Sequence, residues 1–180
     1  FILTGYKSDI IFKNFHNKIF NFTKVVCIKE KKLMGTGGAL LNLKRNKIKD
    51  FILVNGDTVF DIDLADFIKS FKKKKLGCVA LAPNNKNTNN YKLNNLGIKK
   101  STLCYKKNSK LMNGGIYFFK KKFLNIIPNK PCSLEEDIFP NIIKKKLLTG
   151  KIYKDFFLDI GTPKYFKVST KKLKDHFSRP

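Results

Sequence analysis

Two aspartates, each placed where an apolar strand is predicted to end, are the side chains best suited to bind a hard cation. Asp57 follows the apolar run 51–54, and Asp159 ends the run 156–158 just before Gly161. Ligands of open α/β sheets bind at the carboxyl ends of strands, and carboxylates are typical ligands of Mg²⁺. The pair therefore predicts one Mg²⁺, bound by Asp57 and Asp159 and bridging phosphate groups in catalysis. Taken alone, each aspartate has an alternative explanation as a residue that stabilises a turn or caps a helix.

A glycine-rich turn, Met34-Gly35-Thr36-Gly37-Gly38-Ala39, precedes a predicted helix at 39–43. Glycines allow a ligand to approach the backbone closely, and a helix start offers amide donors to an anion or a base edge. The turn lacks the Lys-Ser/Thr pair of a P-loop, which argues against a Walker-type ATPase.

Two further segments carry side chains suited to sugar hydroxyls. Asn113-Gly114-Gly115 precedes the predicted strand 116–119, and Ser133-Leu134-Glu135-Glu136-Asp137 follows later. An amide and a carboxylate together supply both donors and acceptors. The alternative to sugar binding is a structural role, as a hairpin turn for the first segment and as a helix cap for the second. Glu136 is assigned to a capping box with Ser133, and Glu135 is left open between the two roles.

The elements around these residues alternate between apolar runs and helical periodicity. This alternation predicts an α/β domain: a Rossmann-like open, mostly parallel sheet covered by helices on both faces. Asp63 and Thr162 are predicted helix N-caps. Pro140 is predicted to kink or restart the helix that follows Ser133. Residues 83–115 predict irregular loops with at most one short strand. The predicted strands are 25–28, 51–54, 78–81, 116–119 and 156–158, and the predicted helices include 63–75 and the segment after Thr162.

The composition favours a folded domain and argues against several classes of protein. Hydrophobic residues make up 42% of the 180, and no apolar run is long enough to span a bilayer. The net charge is +25, yet only two of the 38 basic residues are arginines, whereas nucleic-acid readers depend on arginine. The lysine runs are expected to be solvated helix faces. The dispersed cysteines and isolated histidines predict neither zinc nor redox chemistry, and fit a reducing cytoplasm.

Five motifs in order, GTGGAL, FILVNGDTVFDIDL, MNGGIYFF, SLEEDIFP and DFFLDIGTPKYF, resemble the sugar-1-phosphate nucleotidyltransferase family over about residues 1–170. The resemblance is strongest to the heptose-1-phosphate and mannose-1-phosphate guanylyltransferase branch. It implies that Gly35, Thr36 and Gly37 bind the nucleotide, that Asp57 and Asp159 hold Mg²⁺, and that Asn113, Gly114 and Glu135 contact the sugar. A sugar-phosphate oxygen would attack the α-phosphorus of a nucleoside triphosphate, and pyrophosphate would leave.

The sequence departs from the family pattern in two places. The opening Phe1-Ile2-Leu3-Thr4-Gly5-Tyr6 resembles the strand that follows the family's phosphate loop, so the first βα unit is expected to be missing and these residues alone to be inactive. Tyr91-Lys92 stands where the family commonly has Tyr-Gly. Lys106-Lys107 stands where the family has Glu-Lys near the sugar phosphate. We still predict that Lys107 contacts the sugar phosphate. We predict a nucleotidyltransferase domain at 1–172 and a tail or linker at 173–180.

The leading interpretation is a cytoplasmic guanylyltransferase that acts on a heptose or hexose 1-phosphate, for example to make a lipopolysaccharide or capsule precursor. The expected partners are its two substrates, a fused or partner phosphatase, and a second copy of the chain, without nucleic acid or membrane. Three alternatives stay open: a uridylyl- or thymidylyltransferase acting on glucose 1-phosphate, an inactive nucleotide-sugar sensor, and a lysine-rich nucleic-acid binder with steeply salt-dependent affinity.

Overall fold

The computed structural model of the protein describes residues 1–84 and 95–178, except for the side chain of Lys164. The chain divides into two compact units. The first contains residues 1–49 and 121–141, and the second contains residues 50–120 and 142–180.

The first unit begins with a parallel pair of strands, β1 and β4, in which Ile2 lies beside Cys27 and Thr4 beside Lys29. A short hairpin, β2–β3, turns through Asn21 and Phe22, both at positive φ. Such a turn matches the right-handed twist of the strands. The elements of this part of the chain are β1 (Ile2–Thr4), α1 (Ser8–Phe15), β2 (Ile19–Phe20), β3 (Thr23–Lys24), β4 (Cys27–Lys29) and the one-turn helix α2 (Gly35–Gly38).

Short helical turns complete the first unit. A 3-10 helix at Ala39–Arg45 continues directly from α2, a second lies at Lys121–Ile126, and a π-helix spans Leu134–Ile138. The helix α4 (Phe139–Lys144), whose residues from 142 onward are counted in the second unit, then restarts with Pro140 in its first turn. Proline is tolerated there because the first amides of a helix have no intrahelical acceptor, so the predicted restart is confirmed.

The second unit is built on a six-stranded sheet with the order β5-β10-β7-β11-β9-β8, beside a separate two-stranded pair, β6–β12. Its helices are α3 (Leu64–Lys69) and α5 (Pro163–Phe177). Its strands are β5 (Phe51–Val54), β6 (Thr58–Phe60), β7 (Gly77–Pro83), β8 (Leu96–Lys99), β9 (Thr102–Tyr105), β10 (Leu111–Phe119), β11 (Leu148–Ile152) and β12 (Phe157–Asp159).

The core of this unit forms around β7, whose residues are almost all buried. Strand β7 lies between β10 and β11, which is why its sequence, Gly-Cys-Val-Ala-Leu-Ala-Pro, is continuously apolar. Gly77 is needed because a Cβ there would overlap the ring of Phe119. One cluster of the core contains Phe60, Ile62, Phe67, Cys78, Ala80, Ala82, Met112, Ile116, Phe118 and Tyr153.

The α/β class is confirmed, but the sheet is mixed rather than mostly parallel. Among the described strands of the six-stranded sheet, only the β7–β11 pairing is parallel, and the other four pairings are antiparallel. A continuous apolar run indicates a strand buried on both faces, and such a strand has the same composition whichever way its neighbours run. The direction of the strands could therefore not be deduced from those runs.

Other predicted boundaries also differ from the structure. The prediction of at most one short strand in 83–115 was wrong, because this stretch contains β8, β9 and the first half of β10. The helix predicted at 63–75 ends at Lys69, and α5 continues through Phe177 into the predicted tail. The N-caps Asp63 and Thr162 are confirmed. No helix in the described part of the chain is both long and apolar enough to cross a membrane.

Candidate active site

The two predicted metal ligands, Asp57 and Asp159, lie side by side in the second unit. Strands β6 and β12 pair antiparallel with Asp159 opposite Thr58, the residue that follows Asp57. The amide of Ile160 donates a hydrogen bond to the carbonyl oxygen of Asp57 at 2.8 Å. The sequence did not predict β6, yet this strand is the element that brings the two aspartates together.

Gly161 shows how close the two carboxylates are. A Cβ at Gly161 would lie 2.7 Å from Oδ2 of Asp57 and 3.1 Å from Oδ1 of Asp159. The two oxygens are therefore no more than about 6 Å apart. The Gly161 amide donates to Oδ1 of Asp159 at 2.8 Å, which orients that carboxylate. A larger residue at position 161 would push a side chain between the pair.

The donor set fits a hard divalent cation that is shared with a substrate. Mg²⁺ is usually bound by one or two protein carboxylates, while phosphate oxygens and water complete the octahedron. Within residues 1–84 and 95–178, no group of three or more His, Cys, Asp or Glu side chains is arranged to hold a metal. Mg²⁺ binding by Asp57 and Asp159 stays a prediction.

The Asn-Gly-Gly motif lies inside strand β10 rather than before it. The pairing of β10 with β7 shifts register between Asn113 and Tyr117, and Gly115 has φ +71°, so the motif forms a β-bulge. Bulges redirect side chains and backbone, and they are frequent next to active sites. A Cβ at Gly115 would lie 3.0 Å from Oγ1 of Thr58. The bulge therefore packs against the residue that follows Asp57.

Asn113, a predicted sugar contact, is buried and holds the bulge. Its Oδ1 accepts from the Gly115 amide at 3.1 Å, and its Nδ2 donates to the hydroxyl of Tyr117 at 2.6 Å. Its side chain is 5% exposed. Gly114 packs against the ring of Phe60, where a Cβ would overlap. Asn113 and Gly114 are thus part of a rigid bulge, and their contact with a sugar stays a prediction.

The predicted nucleotide-binding residues lie in the first unit, in helix α2. Residues Gly35–Gly38 form a segment that we call the glycine loop. The amides of Gly37 and Gly38 donate to the carbonyl oxygen of Cys132 at 2.9 and 3.2 Å. Residue 132, remote in sequence, thus supplies the acceptor for these two amides, and nucleotide binding by Gly35, Thr36 and Gly37 stays a prediction.

Glu135 also contacts the glycine loop. Thr36 Oγ1 donates to Oε2 of Glu135 at 3.0 Å, and Ser133 Oγ donates to the same oxygen at 3.3 Å. The expected capping box is altered: Ser133 accepts from the amide of Glu136, but the side chain that returns to the Ser133 amide is Asp137, at 2.7 Å. The wider turn of a π-helix places the fourth residue after Ser133 where an α-helix would place the third.

Lys107 lies on an exposed turn between β9 and β10. The neighbouring cavity, about 410 Å³ in volume, is lined by Lys106, Lys110, Ser109 and Leu111 among others. The Tyr91-Lys92 departure lies outside the described residues. The role of Lys107 as a phosphate contact stays a prediction.

Sequence reasoning missed one polar cluster of the second unit. Asp66 accepts hydrogen bonds from Lys151 Nζ at 2.5 Å and from the Tyr153 hydroxyl at 2.8 Å. These two bonds lower the pKa of Asp66, whereas burial and the same carboxylate raise the pKa of Tyr153. The cluster joins α3, which contains Asp66, to β11, which contains Lys151 and is followed directly by Tyr153. No spacing in the sequence links them, since Asp66 and Lys151 are far apart in the chain.

Residues 1–175 match the family described as Nucleotidyl transferase, and the chain belongs to it. Within it, the chain is similar to D-glycero-alpha-D-manno-heptose 1-phosphate guanylyltransferase of Campylobacter jejuni, with 30% identity over 90% of this chain and 73% of the relative. It is also similar to a probable mannose-1-phosphate guanylyltransferase of rice (Oryza sativa), with 26% identity over 84% of this chain and 44% of that protein.

A solved structure, HddC from Yersinia pseudotuberculosis complexed with GMP-PN, superposes with a TM-score of 0.74 at 26% identity, covering 96% of this chain and 77% of that one. The resemblance to the heptose and mannose guanylyltransferase branch is thereby confirmed, as is the nucleotide-diphospho-sugar transferase fold. The chain spans less than half of the rice relative and about three quarters of the other two.

Proposed function

We propose that the protein transfers a nucleotidyl group from a nucleoside triphosphate, GTP in preference, to a sugar 1-phosphate of the heptose or mannose type. The products are a nucleoside diphosphate sugar and pyrophosphate. The observation that carries the proposal is the pair Asp57 and Asp159, whose carboxylates converge at Gly161. Membership of the family supports the reaction class, and the similarity to two proteins named as guanylyltransferases supports the choice of base and sugar.

The chemistry assigns separate tasks to these residues. Asp57 and Asp159 would hold Mg²⁺, which when bound supplies positive charge to the reacting phosphates. Gly161 keeps the space between the carboxylates open, and its amide fixes Asp159. The sugar-phosphate oxygen attacks the α-phosphorus, the bond from that phosphorus to the bridging oxygen breaks, and pyrophosphate leaves. No covalent protein intermediate is needed, because positioning and charge neutralisation account for this class of catalysis.

The remaining assignments follow the family resemblance. Gly35, Thr36 and Gly37 are proposed to bind the nucleotide, and Asn113, Gly114 and Lys107 the sugar phosphate. The rigid bulge that holds Asn113 would present backbone atoms to a sugar without loss of side-chain freedom. The four cysteines are free thiols, which supports a reducing, cytoplasmic setting as part of this proposal.

The aspartate pair is tested with Asp57→Asn and Asp159→Asn in the full-length protein. Each change removes one anionic ligand, so we expect the turnover number to fall on the order of 100-fold or more while the fold is kept. Turnover is followed as pyrophosphate release, with a panel of nucleoside triphosphates against sugar 1-phosphates, and the fold by circular dichroism. A variant that keeps a near-normal rate would remove its aspartate from the proposed metal site.

A matched pair of glycine substitutions tests the space between the carboxylates in the same assay. Gly161→Ala places a methyl group against Asp57 and Asp159, and should reduce turnover about as strongly as either Asn variant. Gly56→Ala is the control, since no described atom beyond its two chain neighbours lies within 4 Å of a Cβ at that position. Equal rates for the two alanine variants would contradict the proposed geometry.

The substrate panel also separates GTP from UTP or dTTP use, and an inactive sensor would bind without turnover.

A further inference from the structure

Two hydroxyl groups in the first unit converge on one carboxylate oxygen. Thr36 Oγ1 lies 3.0 Å from Oε2 of Glu135, and Ser133 Oγ lies 3.3 Å from the same atom. An ionised carboxylate only accepts hydrogen bonds, so both hydroxyls must donate to it. Thr36 belongs to the glycine loop, whereas Ser133 and Glu135 belong to the segment Cys132–Asp137, which we call the bracing segment.

Each hydroxyl is in turn oriented by a backbone amide. The amide of Leu134 donates to Thr36 Oγ1 at 2.9 Å, and the amide of Glu136 donates to Ser133 Oγ at 3.1 Å. A hydroxyl has one hydrogen, and here that hydrogen is directed to Glu135 while a lone pair receives the amide. Both chains of hydrogen bonds therefore run in one direction and end on the same oxygen. Such chains strengthen each member by polarisation.

The backbone of the glycine loop is fixed to the bracing segment as well. The amides of Gly37 and Gly38 donate to the Cys132 carbonyl oxygen, and the Cys132 amide donates to the carbonyl oxygen of Met34 at 2.9 Å. A Cβ at Gly35, which has φ +71°, would lie 2.6 Å from the Cys132 carbonyl oxygen. The loop thus lies directly on the bracing segment, and Thr36 is its side-chain anchor.

We infer that Glu135 is a positioning residue for nucleotide binding: it holds the glycine loop in its binding conformation through the Thr36 hydroxyl. This inference rests on the proposed function, because it takes the glycine loop to be the nucleotide site. It differs from the sugar contact implied for Glu135 by family resemblance. The carboxylate accepts from Thr36 in the glycine loop and from Ser133 in the bracing segment, so it links the loop to the segment that supports it.

The test uses Thr36→Val, Glu135→Ala and the double variant in the full-length protein. Valine keeps the size of threonine but removes both of its hydrogen bonds. We expect either single change to raise the Kd for the nucleoside triphosphate about 5–10-fold. The double variant should lose less affinity than the sum of the two single losses, because both single changes break the same contact between Thr36 and Glu135. The KM for the sugar 1-phosphate should stay within about twofold of the wild-type value. Affinity is measured by titration calorimetry with Mg²⁺ present.

Conservative variants separate positioning from simple loss of structure. Thr36→Ser keeps the hydroxyl, and Glu135→Gln keeps an oxygen that accepts hydrogen bonds, so both should bind nucleotide within about threefold of wild type. Glu136→Gln, at an exposed neighbouring carboxylate, is the matched control and should bind as wild type. Hydrogen exchange of the Gly37 amide should accelerate in Thr36→Val, since this amide reports the attachment of the loop.

The inference is overturned if Thr36→Val binds nucleotide as wild type, or if Glu135→Gln raises the KM for the sugar 1-phosphate and leaves the nucleotide Kd unchanged. Additive losses in the double variant would also overturn it. Failure of the proposed function has a different signature: the wild-type protein would bind none of the nucleoside triphosphates in the panel. In that case Gly37 exchange still reports whether Thr36 anchors the loop.

Discussion

Glu30 is a carboxylate held in an unfavourable environment at the end of β4. Its Oε1 atom is buried and has no hydrogen-bond partner in residues 1–84 and 95–178, although the Met34 amide donates to the carboxylate. Burial raises the pKa of Glu30, and the Met34 bond opposes that shift without cancelling it. The native protein therefore favours the protonated form of this side chain more than the unfolded chain does, which makes the ionised form destabilising.

Replacing Glu30 with glutamine should stabilise the protein at neutral pH. Burial disfavours the ionised form of the wild-type side chain, whereas glutamine is neutral at every pH. We expect the variant to have a higher Tm at pH 7, by about 1–3 °C. The difference should shrink as the pH falls through the raised pKa of Glu30, and vanish below the ordinary glutamate value.

The measurement is thermal unfolding of wild type and Glu30→Gln, compared at each pH from 7 downward. A Tm difference that stays constant across the pH range would show that the effect of the substitution is not electrostatic.

At the scale of elements, the C-terminal helix α5 is joined to the segment after β6 by one histidine. His176 Nε2 lies 2.7 Å from Oδ2 of Asp61, and the His176 ring stacks on Phe156 with centroids 4.0 Å apart. The pair is only partly buried, so its polar part is expected to contribute modestly, about 0.5 kcal/mol. The stacking adds a comparable or larger amount.

Three substitutions separate these two contributions to the attachment of α5. Asp61→Asn removes the carboxylate of the contact and His176→Phe removes the imidazole, while phenylalanine keeps an aromatic ring on Phe156. Both changes should lower the free energy of unfolding by about 0.5 kcal/mol. His176→Ala removes the ring as well and should lower it by about 1–2 kcal/mol. Urea unfolding followed by circular dichroism measures each value. If His176→Ala is no worse than His176→Phe, the stacking does not contribute to stability.

Elements with a continuous apolar run were predictable from the sequence. Strand β5 was placed at its observed bounds, and β7 and β12 to within a few residues, because burial on both faces requires an uninterrupted apolar stretch. Strands β8 and β9 were missed because they are short and their flanks are rich in Lys and Asn. The Asn-Gly-Gly segment was placed before β10 instead of within it, because a glycine pair suits a turn and a bulge equally well.

The candidate site was predictable only where its residues end apolar strands. Asp57 and Asp159 were singled out for that reason, but their closeness depends on β6, a three-residue strand without a distinctive pattern. The contact between Thr36 and Glu135 joins residues 99 positions apart. Neither residue type predicts it, because Thr in a glycine-rich turn and Glu in a first helical turn have ordinary local roles.

For the whole molecule, the dominant physical quantity is the net charge of +25. Like charges at this density repel one another, and the repulsion is greater in the folded chain, where they are closer together, than in the unfolded chain. Dissolved salt shortens the range of that repulsion from about 30 Å at 0.01 M to about 8 Å at 0.15 M. The same charge attracts phosphorylated substrates, so salt should act on stability and on substrate association in opposite directions.

We therefore expect the Tm to rise by several degrees between about 0.01 and 0.15 M NaCl, because screening relieves repulsion within the folded state. A variant with Lys72, Lys73 and Lys74 changed to glutamine is the matched control. These lysines are exposed, so their removal lowers the net charge with little loss of packing. The variant should have a higher Tm than wild type at low salt and a smaller increase with NaCl. A wild-type Tm that falls as NaCl is added would mean that attractive ion pairs outweigh the excess positive charge, and that the lysines are paired rather than merely solvated.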